Sequence, residues 1–245
     1  MRRTGVLYGG KIGATAGGTV IGLKIPEIYW NDEEVVRLLV EYFTRRRSRG
    51  DLFYSGAHFE RLGGGGDIEP VANRFDSTDV VAITTLSVSL SPHGALDLLM
   101  DRDGHWSSLL SQIPRDARLE DPASDKLIAP GGPAWELWER LANGDKYPNK
   151  PDGSGPVIAG KLLARKRPHL IPIYDIRVKQ LFDRPNVDHS FWAALAAALR
   201  ANDGAFRNQL LHLRAEAGIG EDIGALRVFD VIAWMQGGRG PNSAR

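Results

Sequence analysis

The sequence predicts a mainly α-helical protein with a small β element near its amino terminus, and three observations predict it. Segments with apolar residues three and four positions apart recur from residue 31 to residue 235. Several of them open on a capping residue or on a proline suited to the first helical position. Strand-like composition, glycine mixed with β-branched residues, is confined to residues 4 to 30 and is clearest in TVIGLKIPEIYW.

The strongest helix is NDEEVVRLLVEYFTRRR, residues 31 to 47. Asn31 caps it, Glu34 stands at capping-box spacing, and Val35, Leu38, Leu39, Tyr42 and Phe43 share one face. The acids at its start and Arg45, Arg46 and Arg47 at its end suit the helix dipole; with Arg49 they read as a solvated helix end in preference to a phosphate clamp. YSGAHFERLGGGGD follows as a loop, because the run Gly63 to Gly66 excludes regular structure. Tyr54, His58, Phe59 and Arg61 precede that run, a mixture of ring and charge that suits either a pocket wall or local packing. From Asp76 onward the punctuation is helical. Ser77-Thr78-Asp79 opens VVAITTLSVSL, Ser91-Pro92 opens a short apolar helix, and Pro133 opens AWELWERLANG. In the last of these Trp135, Trp138 and Leu141 share a face, read as core packing in preference to a base-stacking surface. Beyond residue 175 helices are expected around DIRVKQLF, FWAALAAALRAN, FRNQLLHLRAEA and IGALRVFDVIAWM, and the remaining residues read as a tail.

Composition bounds the function. With 42% hydrophobic and 25% charged residues in a chain of 245, an ordered globular core is expected. Thirty-one Lys and Arg against 30 Asp and Glu leave a net charge of +1, so affinity for nucleic acid has to come from local patches. Two patches qualify: Arg45, Arg46, Arg47 and Arg49, and Lys161, Arg165, Lys166 and Arg167. The absence of cysteine excludes disulfides, zinc–thiolate sites and cysteine-ligated iron–sulfur clusters. The six histidines are scattered, and neither a GxxxxGK phosphate loop nor an HExxH motif occurs. MRRTGVLYGG lacks the apolar core of a signal peptide, and no run approaches the ~20 apolar residues of a membrane span, so a soluble cytoplasmic protein is expected.

The stretch GSGPVIAGKLLARKRPHLIPIYD, residues 153 to 175, carries the chemistry. Gly153 and Gly155 flank Ser154 in a tight turn, Pro156 starts a helix, and Pro168 discourages its continuation beyond about Arg167. Val157, Ile158, Leu162 and Leu163 give that helix an apolar face, while Lys161 and Arg165 are four apart with Lys166 beside them. A donor-rich helix start and side-chain cations are two devices for holding phosphate; a solvated basic face is the plainer alternative. Asp175, between apolar neighbours, is placed either to cap the next helix or to bring a carboxylate to a bound nucleic acid, and the two roles are compatible.

This stretch resembles the helix-hairpin-helix DNA glycosylase superfamily, in which a Gly-x-Gly hairpin turn is followed by a helix and then, at a set interval, by a catalytic aspartate opening another helix. Asp175 follows Gly155 by 20 residues, an interval of that size, and IPIYDIRV is similar to the family's apolar-apolar-Asp signature. The likeness is specific over residues 151 to 182 and weaker from residue 76, and residues 1 to 75 match nothing in the pattern. The whole chain, including YSGAHFERLGGGG and KLLARKRPHLIPIYD, is also similar to a group of uncharacterised, chiefly actinobacterial proteins. The resemblance implies a two-lobed helical fold divided as an amino-terminal extension with a pocket loop (1–75), packing with the carboxy-terminal helices; a helical core with the hairpin (76–174); those helices (175–236); and a tail (237–245). It implies a monomeric DNA-binding hydrolase with no membrane partner. Asp175 would be its catalytic carboxylate, and Gly153, Ser154, Gly155, Lys161, Arg165, Lys166 and Arg167 would hold DNA. Tyr54, His58, Phe59, Arg74 and Tyr174 would line the pocket of a flipped base. No iron–sulfur cluster and no other cofactor is expected, and the hairpin leaves room for a monovalent cation.

Departures refine the expectation. Members that cut the strand through a Schiff base carry lysine two residues after the second hairpin glycine, where this chain has Val157, so lyase activity is not expected; Lys161, one turn further, is the substitute amine to consider. Pro151 and Asp152 stand where the family usually has a leucine-proline pair. The expected reaction is hydrolysis of the N-glycosidic bond of a damaged or modified base, a hypermodified phage base such as glucosylated hydroxymethylcytosine being one candidate with a role in anti-phage defence. The alternatives are a DNA-binding protein that kept the hairpin and lost the chemistry, and a small-molecule-binding protein on a helical scaffold.

Overall fold

A computed structural model describes residues 22–147, 149–185 and 188–237. The protein is mainly helical, with ten α-helices among these residues: α1 (Asp32–Thr44), α2 (Ser77–Thr85), α3 (Pro92–Met100), α4 (His105–Ser111), α5 (Asp125–Ile128), α6 (Pro133–Ala142), α7 (Pro156–Lys166), α8 (Ile176–Leu181), α9 (Phe191–Glu216) and α10 (Ala225–Gly237). No strand occurs among the described residues; Arg46 and Leu52 form an isolated antiparallel bridge. The expected β element is therefore corrected over residues 22–30, and its residues 4–21 lie outside the described residues. Pro26 starts a 3₁₀ turn, Glu27–Trp30, that drives Tyr29 into the core instead of pairing the backbone. The Tyr29 hydroxyl donates to Phe229 O at 2.8 Å, and its ring meets Phe182, Phe206 and Phe229.

The helices follow their local signals. Asn31 accepts the Glu34 N–H at the start of α1, whose buried face is Val35, Leu38, Leu39, Tyr42 and Phe43. Asp76 and Asp79 form a reciprocal capping box on α2. This helix stops at Thr85, short of the expected VVAITTLSVSL, where Ser87 takes a positive φ of 61°. The helices expected around FWAALAAALRAN and FRNQLLHLRAEA are the two arms of α9, separated by a kink at Ala201–Gly204. Helices α4 and α5 are short, and their sequences carry no periodic signal of their own. α6 packs along α7, α2 covers α7 from another side, and α1, α8 and α9 pack on α10. None of the helices is long and apolar enough to cross a membrane.

The last turn of α7 carries three consecutive cations that are sealed from solvent, with Arg165, Lys166 and Arg167 each at most 2% exposed. Arg165 donates to Phe59 O (2.5 Å), Glu60 O (2.7 Å) and Leu62 O and lies 3.4 Å from Asp79 Oδ1. Lys166 pairs with Asp79 and donates to Val71 O at 3.0 Å. Arg167 donates to Ile113 O, Leu110 O, Ala72 O and Asn73 Oδ1. Three connecting segments are thus tied to one helix end, their buried carbonyls satisfied by charged donors. The glycine run serves this arrangement: a Cβ on Gly66 would lie 2.5 Å from Arg165 O, so only glycine lets the loop reach the helix.

Asp79 lies within salt-bridge distance of two buried cations, Arg165 and Lys166. Asp79→Asn is expected to lower unfolding stability by about 3–5 kcal/mol in urea titrations, the usual cost of leaving buried charge uncompensated. Asp51→Asn, which removes the exposed partner of Arg49, is expected to leave the midpoint unchanged.

Candidate active site

The hairpin forms where the sequence puts it. Residues 143–155 join α6 to α7, and Gly153 adopts φ 74° in the turn. The start of α3 holds this turn closely: Ser91 Oγ donates to Asp152 Oδ2 at 2.5 Å, and a Cβ on Gly94 would fall 1.9 Å from Asp152 O. Gly155 is the N-cap of α7 with no side chain capping it, and Pro156 takes the first helical position. A Cβ at Gly155 would meet nothing within 4 Å, so the approach to the helix start is open. Ser154 departs from expectation: it is buried, its N–H donates to Pro151 O, and its Oγ has no hydrogen-bond partner, so the hydroxyl does not face an incoming strand. Lys150 Nζ donates to Ser154 O at 2.6 Å. An ammonium thus already engages that carbonyl.

Asp175 caps α8. Its Oδ1 accepts the N–H groups of Arg177 (2.9 Å) and Val178 (3.3 Å), which fixes the carboxylate plane. Oδ2 has no hydrogen-bond partner among the described residues and is not among the atoms sealed from solvent without one; the residue as a whole is half-buried. Behind it stands Lys161, whose Nζ donates to Leu86 O at 2.9 Å. Burial pulls the Lys161 pKa below the usual lysine value, while the charges of Asp175 and Asp230 oppose the shift.

The expected DNA grip of α7 is corrected. Lys161, Arg165, Lys166 and Arg167 point inward, where they donate to the backbone carbonyls of Leu86, Glu60, Val71 and Ala72, and none of the four is exposed to an incoming strand. Lys161, buried and engaged, is not a free amine nucleophile. The exposed basic patch is the other one. There Arg45 and Arg49 pair with Glu41 and Asp51, and Arg45 stacks over Phe53.

The expected base pocket is corrected in most of its members. Phe59 is in the core, 2% exposed. Tyr54 stacks on Tyr42, meets Trp234 edge-on and donates to Glu41. His58 and Arg74 are exposed and are not among the residues lining the cleft beside Tyr174. Tyr174 alone stands near the carboxylate, on the wall of an aromatic cleft with Trp135, Trp138, Trp192, His189 and Phe191. Val157, at the position of the lyase lysine in the resembled family, and Gly160 form its floor, with Lys179 and Asp188 among the other lining residues. The rings touch one another: Trp135 lies 5.3 Å from His189 and 6.1 Å from Trp192, and Trp138 Nε1 donates to Pro156 O. The space they leave is about 40 Å³, room for water but not for a base. Burial, aided by Asp188, pushes Tyr174 up to about 12, so it stays a neutral phenol donating to Pro185 O. Trp135 and Trp138 are visible in the sequence as a pair on one face; Trp192 and His189 come from a distant segment, and only the tertiary fold brings them together.

A buried ionic network backs the carboxylate. Arg227 of α10 pairs with Asp230 and with Glu60 (2.9 Å) and donates to the Tyr42 hydroxyl and Gly56 O. Burial pushes Asp230 up to about 7 against the pull of Arg227, and the charges of Asp175 and Glu60 add to the rise. Burial likewise raises Glu60. Among the described residues no group of three or more His, Cys, Asp or Glu is arranged to hold a metal ion.

The DUF6308 family, a family of unknown function, matches residues 35–237. Neither a curated protein nor a solved structure matches the chain.

Asp230 holds a proton in the folded state up to about pH 7, whereas an unfolded aspartate releases it near 3.9. The stability it contributes is complete below about pH 4 and is lost as pH rises to about 7. Urea titrations of the wild type and Asp230→Asn at about pH 5 and about pH 8 are expected to show the wild type losing stability relative to the variant at the higher pH. Parallel profiles would contradict a raised Asp230.

Proposed function

The chain belongs to the DUF6308 family, and we propose that it is a monofunctional DNA glycosylase of helix-hairpin-helix, two-lobed type, with Asp175 as its catalytic carboxylate. One observation carries the reading: Asp175 is clamped through Oδ1 by two backbone amides while Oδ2 accepts no hydrogen bond among the described residues, 20 residues after the turn glycine Gly155 and beside the aromatic cleft that Tyr174 lines.

In this reading the phosphate backbone lies across the open start of α7. The N–H groups of Val157 and Ile158 have no side-chain cap there, and the helix dipole favours an anion. The target nucleotide leaves the stack, and the base parts the rings of Trp135, Trp138 and Trp192 to stack among them. The C1′–N bond then breaks with its electron pair going to the base, and the sugar becomes an oxocarbenium ion. Asp175 Oδ2 stabilises that charge and orients a water, whose oxygen bonds to C1′ while its proton passes by way of the carboxylate to the departing base. Neither position considered for a Schiff-base amine supplies a free one: Val157 has none, and Lys161 Nζ donates to Leu86 O. The product is an abasic site in an uncut strand.

Because the α7 cations are buried, few phosphates are neutralised by side chains, and DNA affinity is expected to depend only weakly on salt. Asp175→Asn tests the chemistry without disturbing the cap, since asparagine caps as well as aspartate. The wild type is incubated with damaged, unmodified and glucosylated-hydroxymethylcytosine DNA, and free base and alkali-labile sites are measured. Release from at least one substrate, lowered about 10²-fold or more in the variant at unchanged DNA affinity, is the expected result. Binding without release from any of them would assign the protein to the non-catalytic DNA-binding reading, which the narrowness of the aromatic cleft favours.

A further inference from the structure

A cavity larger than the aromatic cleft lies at the other end of α7 and takes no part in the proposed base excision. It has a volume of about 270 Å³ and is lined by Arg118, Glu120 and His169 from two loops, Arg207, Leu211 and Arg214 from the second arm of α9, and Glu221 with residues 224–226 at the start of α10. The loops are locked together, since Leu119 N–H donates to His169 O at 2.9 Å. A Cβ on Gly224 would fall 3.0 Å from His169 Nδ1, so glycine is what lets the imidazole lie against the first turn of α10.

The charges around this space do not cancel. Arg207 is matched by Glu120 at 2.8 Å. Arg214 spends its donors on the backbone carbonyls of Glu221 and Ile223, both at 3.2 Å, and has no carboxylate within salt-bridge distance among the described residues. Arg118 is exposed, its guanidinium has neither a hydrogen bond nor an ion pair among the described residues, and the His169 imidazole has no side-chain hydrogen bond among them. Three guanidinium groups therefore face two carboxylates, with two of the three free of carboxylate pairing. Burial, with the charges of Arg118 and Arg214, holds His169 below the ordinary histidine pKa against the opposing charges of Asp67 and Glu120.

We propose that this cavity is a phosphate-binding site, in which Arg118 and Arg214 engage the phosphate oxygens and His169 supplies a further hydrogen bond. Planar guanidinium forks match a tetrahedral oxyanion, and the volume exceeds what a single phosphate group needs, leaving room for the group it is attached to. The phosphate can belong to a small molecule or to a nucleic-acid strand, and the two are separated by experiment.

Inorganic phosphate and a nucleoside 5′-monophosphate are titrated into the full-length protein by calorimetry, and a short duplex DNA by fluorescence anisotropy, for the wild type, Arg118→Gln and Arg214→Gln. Arg118 has no partner to lose, so its variant folds as the wild type does, which circular dichroism verifies. Both variants are expected to bind phosphate about tenfold more weakly or worse, the loss of one charge-assisted hydrogen bond. Weakened phosphate binding with unchanged duplex affinity assigns a small phosphorylated molecule; weakening of both assigns a strand phosphate. A wild type that binds neither phosphate nor the monophosphate, or an Arg118→Gln variant that binds them as tightly as the wild type, overturns the proposal.

Discussion

Everything in the described structure hangs on the last turn of α7, where Arg165, Lys166 and Arg167 are driven into the interior. Placing three cations side by side in a core is costly unless each is paired or fully hydrogen-bonded. Here the cost is offset by one carboxylate, Asp79, and by carbonyl oxygens that loops would otherwise bury without donors. Segments 59–61, 71–73 and 112–113 lie outside the helices, and the cations satisfy carbonyls there and at the end of α4. Apolar replacements would keep the volume and lose the carbonyl partners.

That anchoring fixes α7 at its carboxyl end and thereby aims its amino end. The turn at Gly153 is held by the start of α3, and Trp138 on α6 is tied to Pro156. From the anchored end the chain passes Pro168 and Pro172, runs extended to Tyr174, and delivers Asp175 to the start of α8. Lys161, Asp230, Arg227 and Glu60 then form a buried electrostatic backing to a carboxylate whose outer oxygen accepts no hydrogen bond among the described residues. The proposed chemistry and the stability of the fold therefore share one helix: its carboxyl end organises the core, and its amino end organises the site.

The sequence made the helices legible because their signals are local. Asn31, Asp76, Ser91, Pro133, Pro156 and Asp175 each sit where a cap or a first-turn proline belongs, and the kink in α9 falls between the two segments whose periodicity separates them. The basic run was legible as chemistry but not as location. Lysines and arginines at helical spacing read as a surface in any single sequence, and only the tertiary supply of carbonyls from residues 59 to 113 turns them inward. The pocket failed for a related reason. Tyr54 and Phe59 share a short loop, yet their partners are Tyr42 on the preceding helix and Trp234 and Arg227 far away in the chain, and those contacts commit the loop to the core. Trp192 joins Trp135 and Trp138 across more than fifty residues, beyond the reach of periodicity.

The central claim is that DNA meets the backbone of the hairpin turn and the carboxylate of Asp175, while the basic side chains of α7 stay inside. Nuclear magnetic resonance mapping with a short duplex carrying a cationic abasic analogue, a mimic of the oxocarbenium sugar, tests it most directly. The account requires amide shifts at residues 153–155, 157 and 158 and at Arg177 and Val178, with the Nε–H signals of Arg165 and Arg167 unmoved. Large shifts at those two guanidinium groups, or binding that leaves the hairpin amides and the α8 start undisturbed, would contradict it.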